Sequence, residues 1–311
     1  MKDRLHTIVV PVYNSKETLQ VLVERVFKAM DTVQLHFELV LVDDGSVDGS
    51  FNEIQRLSKF HPFIRGFRLS RNFGHQAALV IGLQESHGDF VAIIDDDLQD
   101  PPEILASFFK RLYDEADVVY GVRQERKENF VKKLLYAAFY RILRKLSRVE
   151  IPLDAGDFCV MKRCVVDEIL RFHEANPFLR GIRSWVGFKQ IGVKYERATT
   201  TQGRSRYTLK KYFSFALGGI LSFSYIPLRF ATYLGIMAAF IGFAFAVLVI
   251  VLKLAHKFEV SGYTSLIVVI TFLGGVELLA IGIMGEYLSR LNDNARKWPI
   301  AVVAEKTSED S

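Results

Sequence analysis

The chain has 311 residues, half of them hydrophobic, with 40 Lys and Arg against 35 Asp and Glu for a formal net charge of +5. The length exceeds one small domain and suits a soluble domain of about 200 residues with an appendage. Its two cysteines, Cys159 and Cys164, are too few and too close for a disulfide framework, which excludes the cross-linked secreted scaffolds.

Strand-like and helical runs alternate from the start. "TIVVPVY" reads as a buried strand, followed by "SKETLQVLVERVFKAM" with apolar residues at helical spacing. "FELVLVDDGS" gives a second strand and "SFNEIQRLSKF" a second helix, and "IRGFRLS", "GHQAALVIGLQES" and "DFVAIIDDD" continue the pattern. This alternation predicts an α/β domain whose mainly parallel sheet is covered on both faces and binds ligands beyond the carboxyl ends of its strands. Polar clusters stand at those ends: Asn14 after the first strand, Asp43-Asp44-Gly45-Ser46 after the second, Arg71-Asn72 after the third, and three aspartates after the fourth. Their convergence marks a site.

Farther on, Phe230 to Leu252 is a run of 23 residues without a charge, and Tyr263 to Met284 is 22 residues with only Glu277. Each meets the roughly 20 residues that a helix needs to cross a bilayer. Joined by ten residues, they read as a transmembrane hairpin, 230–252 and 263–284, rather than as buried core helices. The N-terminal "MKDRLHTIVVPVYN" lacks the long apolar stretch of a signal peptide, so the first 200 residues or so are expected to stay where they are made. The tail, 285–311, then returns to that side. Lys210, Lys211 and Arg229 before the spans and Arg290, Arg296 and Lys297 after them outnumber Lys253 and Lys257 between them, as the positive-inside rule requires.

The stretch "IIDDDLQDPPE" sets three carboxylates side by side, where like charges repel. Asp95 and Asp97 flank one residue at a strand end, so both side chains can leave on one face and meet a hard cation, Mg²⁺ or Mn²⁺, that bridges to phosphate oxygens. Asp96, pointing the other way, is expected to cap local backbone; the alternative for the whole stretch is a solvated acidic turn before the helix begun by Pro101 and Pro102. Asp43, Asp44 and Asp48 around Gly45 fit either an Asx turn or a seat for ribose and base. No phosphate-cradling glycine-rich loop and no zinc pattern is present, and His75 reads as a loop histidine that contacts diphosphate or caps a helix.

Taken in order, "VPVYNS", "VDDGSVDGS", "RNFGHQAAL", "DDDLQDPPE" and "DAGDFCVMKR" resemble family 2 glycosyltransferases of the GT-A fold, and more narrowly the polyprenyl-phosphate glycosyltransferases. "NPFLRGIRSWVGF" and "GEYLSR" are similar to the bactoprenol glucosyltransferases within that group. The resemblance spans almost the whole chain. It implies a GT-A nucleotide-sugar-binding domain over 1–205, a membrane-interface segment over 206–229, the two spans, and a cytosolic tail. Pro11, Tyr13, Asn14 and Glu17 would border the nucleotide, with Asp44 on its uridine part and Asp96 on the same side. Asp95 and Asp97 would hold Mg²⁺ or Mn²⁺ with Gln99 beside them, and Asp157 matches the position proposed as catalytic base. Arg123 and Arg126 fall near the expected acceptor phosphate. "GRSRY" resembles a G-x-S-K-Y loop, so Arg206 stands for its lysine, with Ser205 and Tyr207 alongside. Where the family often has arginine three residues before that glycine this chain has Thr200, and Arg204 is the candidate substitute.

The implied activity is inverting transfer of one sugar, drawn from a UDP-hexose in the family's manner, to undecaprenyl phosphate at the cytoplasmic face of a bacterial inner membrane. The implied partners are the nucleotide-sugar donor, the polyprenyl-phosphate lipid, the membrane and further copies of the chain, with no nucleic acid. Residues 130–148, "FVKKLLYAAFYRILRKLSR", carry an apolar face and a basic one, which suits an interfacial helix on anionic lipid or a helix packed on the sheet with its basic face in water. Glu277, costly inside a span unless paired, is expected at a helix-helix contact of an oligomer. Two other functions compete: a processive polysaccharide synthase, which would carry Q-x-x-R-W where this chain has "RGIRSW" and more spans, and a non-catalytic nucleotide-sugar-binding scaffold, which has no need of Asp95, Asp97 and Asp157 together.

Overall fold

The computed structural model describes residues 4–123, 155–196, 226–254 and 262–307. They fall into two units: the described residues up to 196 together with 297–307, and the described residues from 226 to 296.

The first unit holds an eight-stranded sheet. Its strands are β1 (His6–Val12), β2 (Phe37–Asp43), β3 (Ile64–Leu69), β4 (Phe90–Ile93), β5 (Val118–Arg123), β6 (Ala155–Lys162), β7 (Gln190–Tyr195) and β8 (Val303–Lys306). They lie in the order β7-β5-β6-β4-β1-β2-β3-β8. The β4-β1-β2-β3 core is parallel throughout, as the alternating pattern predicts, and β6 runs antiparallel between β4 and β5. β1, β2 and β4 are buried and mostly apolar because helices cover both of their faces. Ile8, Val10 and Val12 of β1 pack with Leu19, Leu22 and Val26 of α1 (Lys16–Thr32), in one core with Ile54 of α2 (Ser50–Phe60) and Phe108 of α4 (Leu105–Asp114). Val9 points the opposite way, to α3 (His75–Gln84). There a Cβ on Gly82 would stand 2.2 Å from Val9 Cγ1, so only glycine allows this helix so close to the sheet. Among the described residues the unit's other α-helices are α5 (Arg163–Leu170) and α6 (Leu179–Trp185).

His6 is fully buried at the amino end of β1, its Nδ1 2.9 Å from the His36 carbonyl and its ring packed on Phe90 and edge-on to Phe109. Burial outweighs these bonds and lowers its pKa. The folded state thus resists a proton that the unfolded chain accepts below about pH 6.5. The stabilisation is complete above that value and is lost as the pH falls toward the depressed folded pKa. Urea midpoints should therefore drop between pH 7 and 5 more steeply in the parent than in His6→Gln; parallel profiles would remove His6 as a cause.

The tail, expected as an appendage, belongs in part to this sheet. β8 pairs antiparallel with the edge strand β3, Arg68 Nη1 meets Glu305 Oε1 at 2.8 Å, and Gly66 N–H donates to Thr307 Oγ1 at 2.9 Å. In the second unit α7 (Ile226–Leu254) and α8 (Tyr263–Ala295) pack on each other. α8 runs past the expected end at 284, since no proline interrupts it before Pro299. Its segment Phe272–Ala295 is long and apolar enough to cross a membrane by length and composition, with a mean hydropathy of 1.3 and none of it buried; Ala231–Phe245 of α7 is a shorter apolar run.

Candidate active site

Because β6 is antiparallel to β4, with Ile93 opposite Cys159, continuing that register by two residues sets Asp95 across from Asp157. Two carboxylates are thus brought face to face just beyond the end of β4. His75, the first residue of α3, lies between them, its Nε2 3.6 Å from Asp95 Oδ1 and 3.4 Å from Asp157 Oδ2. Burial pulls the imidazole pKa down, but the two carboxylates outweigh it and hold His75 above its ordinary value.

The two acids differ sharply. Burial drives Asp95 up to about 6, with the nearby carboxylates adding to it and His75 opposing, and its buried Oδ1 has no hydrogen-bond donor among the described residues. Burial acts the same way on Asp157, but His75 and the Arg180 guanidinium outweigh it and hold that carboxyl well below the usual carboxylate range. Arg180 Nε donates to Asp157 Oδ1 at 3.0 Å and Gln76 Nε2 donates to Oδ2 at 3.1 Å. Neighbouring acids with such different proton affinities are a common sign of a site with divided roles.

β4 ends at Ile93, and Asp96 and Asp97 lie in a turn that puts Leu98 at φ 56°. Strand alternation therefore does not govern Asp95 and Asp97. Asp97 is exposed and accepts the Gln99 N–H at 3.0 Å. Asp96 was expected to cap local backbone; it accepts instead the N–H of Tyr13, beyond the end of β1, at 3.1 Å. Among the described residues no group of three or more His, Cys, Asp and Glu is gathered as a ready metal cage. The open, buried Oδ1 of Asp95 nevertheless suits a hard cation of the Mg²⁺ kind, which takes one or two carboxylates and completes its shell with water and substrate phosphate.

The loops expected to border a nucleotide are stitched to each other. Asn14, at φ 53°, accepts the Val47 N–H on its Oδ1 and donates its own N–H to Ser46 Oγ. Asp44 is buried, and its two oxygens accept the N–H groups of Phe73 and Gly74 at 2.7 and 3.0 Å. Pro11 is buried within β1, whereas Tyr13 is half exposed and Glu17 exposed. Gly45, at φ 69°, lies so close to the loop that follows β3 that a Cβ would stand 2.5 Å from the Arg71 carbonyl carbon. Gly45→Ala combines backbone strain with this clash and should cost more than about 2 kcal/mol of stability, read from the urea midpoint. An unchanged midpoint would show that the loop relaxes freely.

Arg123 closes β5, and its backbone pairs with Tyr195. Arg126, Arg204, Ser205, Arg206 and Tyr207, and the stretch 130–148, lie outside the described residues. The sequence reading missed the central place of His75 and the bonds of Gln76 and Arg180 to Asp157. The arginines of "RGIRSW" were visible as a motif without a role, and nothing local distinguished Gln76.

Residues 7–170 match the family described as Glycosyl transferase family 2. The chain belongs to that family. It is a glycosyltransferase. A Bacillus subtilis (strain 168) protein described as uncharacterized glycosyltransferase YkcC is 40% identical over 299 residues, 96% of this chain and 93% of that one. The bactoprenol glucosyl transferase of Shigella phage SfV is 37% identical over 298 residues, 96% of this chain and 97% of that one. The prophage bactoprenol glucosyl transferase homolog of Escherichia coli (strain K12) is 35% identical with the same two coverages. Among solved structures, a Pyrobaculum calidifontis mannosyltransferase in complex with GDP-Man and Mn²⁺ is 19% identical, with a TM-score of 0.48 over 94% of this chain and 86% of that one.

Proposed function

We propose that this glycosyltransferase moves a single sugar from a nucleotide-diphosphate sugar, a UDP-hexose, to a polyprenyl phosphate, undecaprenyl phosphate, with inversion at the anomeric carbon. The observation that carries the reading is identity of 35–37% along nearly the whole chain to bactoprenol glucosyl transferases, together with the Asp95–His75–Asp157 cluster at the carboxyl ends of the strands. Tyr13 and Glu17 are exposed on the nucleotide side, and Asn14, Asp44 and Asp96 hold the loops that border it. Asp95, with Asp97 and Gln99 beside it, is where Mg²⁺ or Mn²⁺ would sit. Bound there, the ion supplies stabilisation of the negative charge on the departing diphosphate.

The nucleophile is an oxygen of the lipid phosphate, which is largely ionised at neutral pH because its second pKa lies near 6. As it bonds to the anomeric carbon, the bond to the nucleotide diphosphate breaks on the opposite face. Arg123, Arg126, Arg204 and Arg206, with Ser205 and Tyr207, are assigned to the acceptor phosphate, for which the guanidinium fork is well shaped.

The membrane reading is a two-helix hairpin of α7 and α8 with the catalytic unit on the cytoplasmic face. The described residues up to 196 and β8, which follows α8, belong to the same sheet-bearing unit, which supports an even number of crossings. Glu277 lies exposed on α8, which suits a contact between copies. Incubating the full chain in nanodiscs with labelled nucleotide sugars and undecaprenyl phosphate tests the proposal. One lipid-linked sugar is expected; a long polymer would make it a processive synthase, and no product with any donor would leave a binding scaffold.

A further inference from the structure

The stretch "NPFLRGIRSWVGF" carries two arginines that the transfer outlined above does not use. Arg180 is bonded to Asp157 Oδ1, and one turn further along α6 the Arg183 guanidinium is buried over the Tyr120 ring, 5.0 Å from its centroid. Arg183 lines the same small cavity as Asp157 and Arg180. The preceding residue of α6, Leu179, donates its backbone N–H to Gln76 Oε1 at 3.0 Å, and Gln76 Nε2 returns to Asp157 Oδ2 at 3.1 Å. The chain of contacts is closed: Asp157 in β6, Arg180 and Leu179 in α6, Gln76 in α3, and back to Asp157.

We infer that Gln76 and Arg180 are positioning residues that fix the plane of the Asp157 carboxylate toward the transferring groups and tie α6 to it. The inference rests on the proposed transfer reaction and on the place of Asp157 in the cluster with His75 and Asp95. A carboxylate held by one donor can still turn about its Cβ–Cγ bond. Here each oxygen has its own donor, from a different helix, so turning breaks at least one bond. The identity of residue 76 follows from the same geometry. A backbone N–H can only donate, and an ionised carboxylate can only accept, so the residue between them must accept at one atom and donate at another. A primary amide does both at this spacing. Glutamate could only accept, and lysine could only donate.

Gln76→Glu is the discriminating variant. It keeps an acceptor for the Leu179 N–H and replaces the donor to Asp157 with a second negative oxygen. Loss of a partner that orients a reacting group typically lowers activity about 10- to 100-fold. The expected result is a fall of that size in kcat, with KM for donor and for lipid phosphate within about twofold of the parent and a melting temperature within a few degrees. Arg180→Ala should lower kcat similarly, and Arg180→Lys should recover part of the loss by keeping a cation beside Oδ1. Parental kcat in Gln76→Glu would overturn the inference. So would losses in Gln76→Glu and Arg180→Ala that follow the melting temperature with no recovery in Arg180→Lys, because that pattern marks a purely structural clamp. A parent enzyme that transfers no sugar to the lipid phosphate would instead overturn the reaction proposed above, and this inference with it.

Discussion

Asp95→Asn should reduce sugar transfer by about three orders of magnitude while leaving the metal-free fold as stable as the parent or more so. The two halves of this expectation have one cause. Asp95 is a desolvated carboxylate whose Oδ1 has no hydrogen-bond donor among the described residues and whose pKa is pushed up to about 6. In the absence of a cation, holding that charge at pH 7 costs stability, because the unfolded chain ionises the same group freely near pH 4. An amide removes the cost. It also removes the hard anionic oxygen that a divalent ion requires. Mn²⁺ together with UDP should therefore raise the melting temperature of the parent in proportion to the logarithm of ligand concentration and leave that of Asp95→Asn unmoved. Equal shifts in both proteins would place the ion elsewhere, whatever the transfer rate.

The same residue shows what the sequence could and could not convey. The parallel core was readable, because β1, β2 and β4 are buried on both faces and are therefore mostly apolar, and the polar strand ends had to gather on one side of such a sheet. α2 begins and ends where its periodicity places it, at Ser50 and Phe60. The meeting of Asp95 with Asp157 was not readable, because it depends on β6 inserting antiparallel beside β4, a register set by pairs of residues 66 to 72 positions apart. Alternation along the strand was also the wrong guide to Asp97, since the chain leaves β4 at Ile93 and turns through Leu98. Asp44 illustrates a second limit. An aspartate at a strand end looks the same whether it faces a ligand or caps backbone, and here the N–H groups it holds belong to Phe73 and Gly74, 29 and 30 residues on. β8 was hidden for a third reason. Four residues in a charged tail carry little periodicity, and the edge of β3 that they cover lies more than 230 residues earlier.

Asp157→Asn should lower kcat about 100-fold or more while UDP affinity, measured by calorimetry, stays near that of the parent. The carboxylate is held by Arg180 and Gln76 and faces His75, so its ionisation lies well below the usual range. A group that gives up its proton so readily is a weak acceptor at neutral pH, where catalytic bases work best with a pKa near the operating pH. Its contribution is then a fixed negative charge and a fixed direction, and the lipid phosphate supplies its own ionised oxygen. Replacing one carboxylate oxygen with NH₂ sets a donor against Arg180 or Gln76 and leaves the arginine without its counter-charge. Orientation and charge are lost together. Some stability goes with them, since an unpaired charge in a largely buried place is expensive. The pH profile separates the two roles. The parent kcat/KM should fall on the acid side near pH 6, where the acceptor phosphate takes up its proton, and Asp157→Asn should retain that limb at a lower plateau. If the acid limb disappears in the variant, Asp157 is itself the titrating base. If UDP affinity collapses instead, the residue belongs to the donor site.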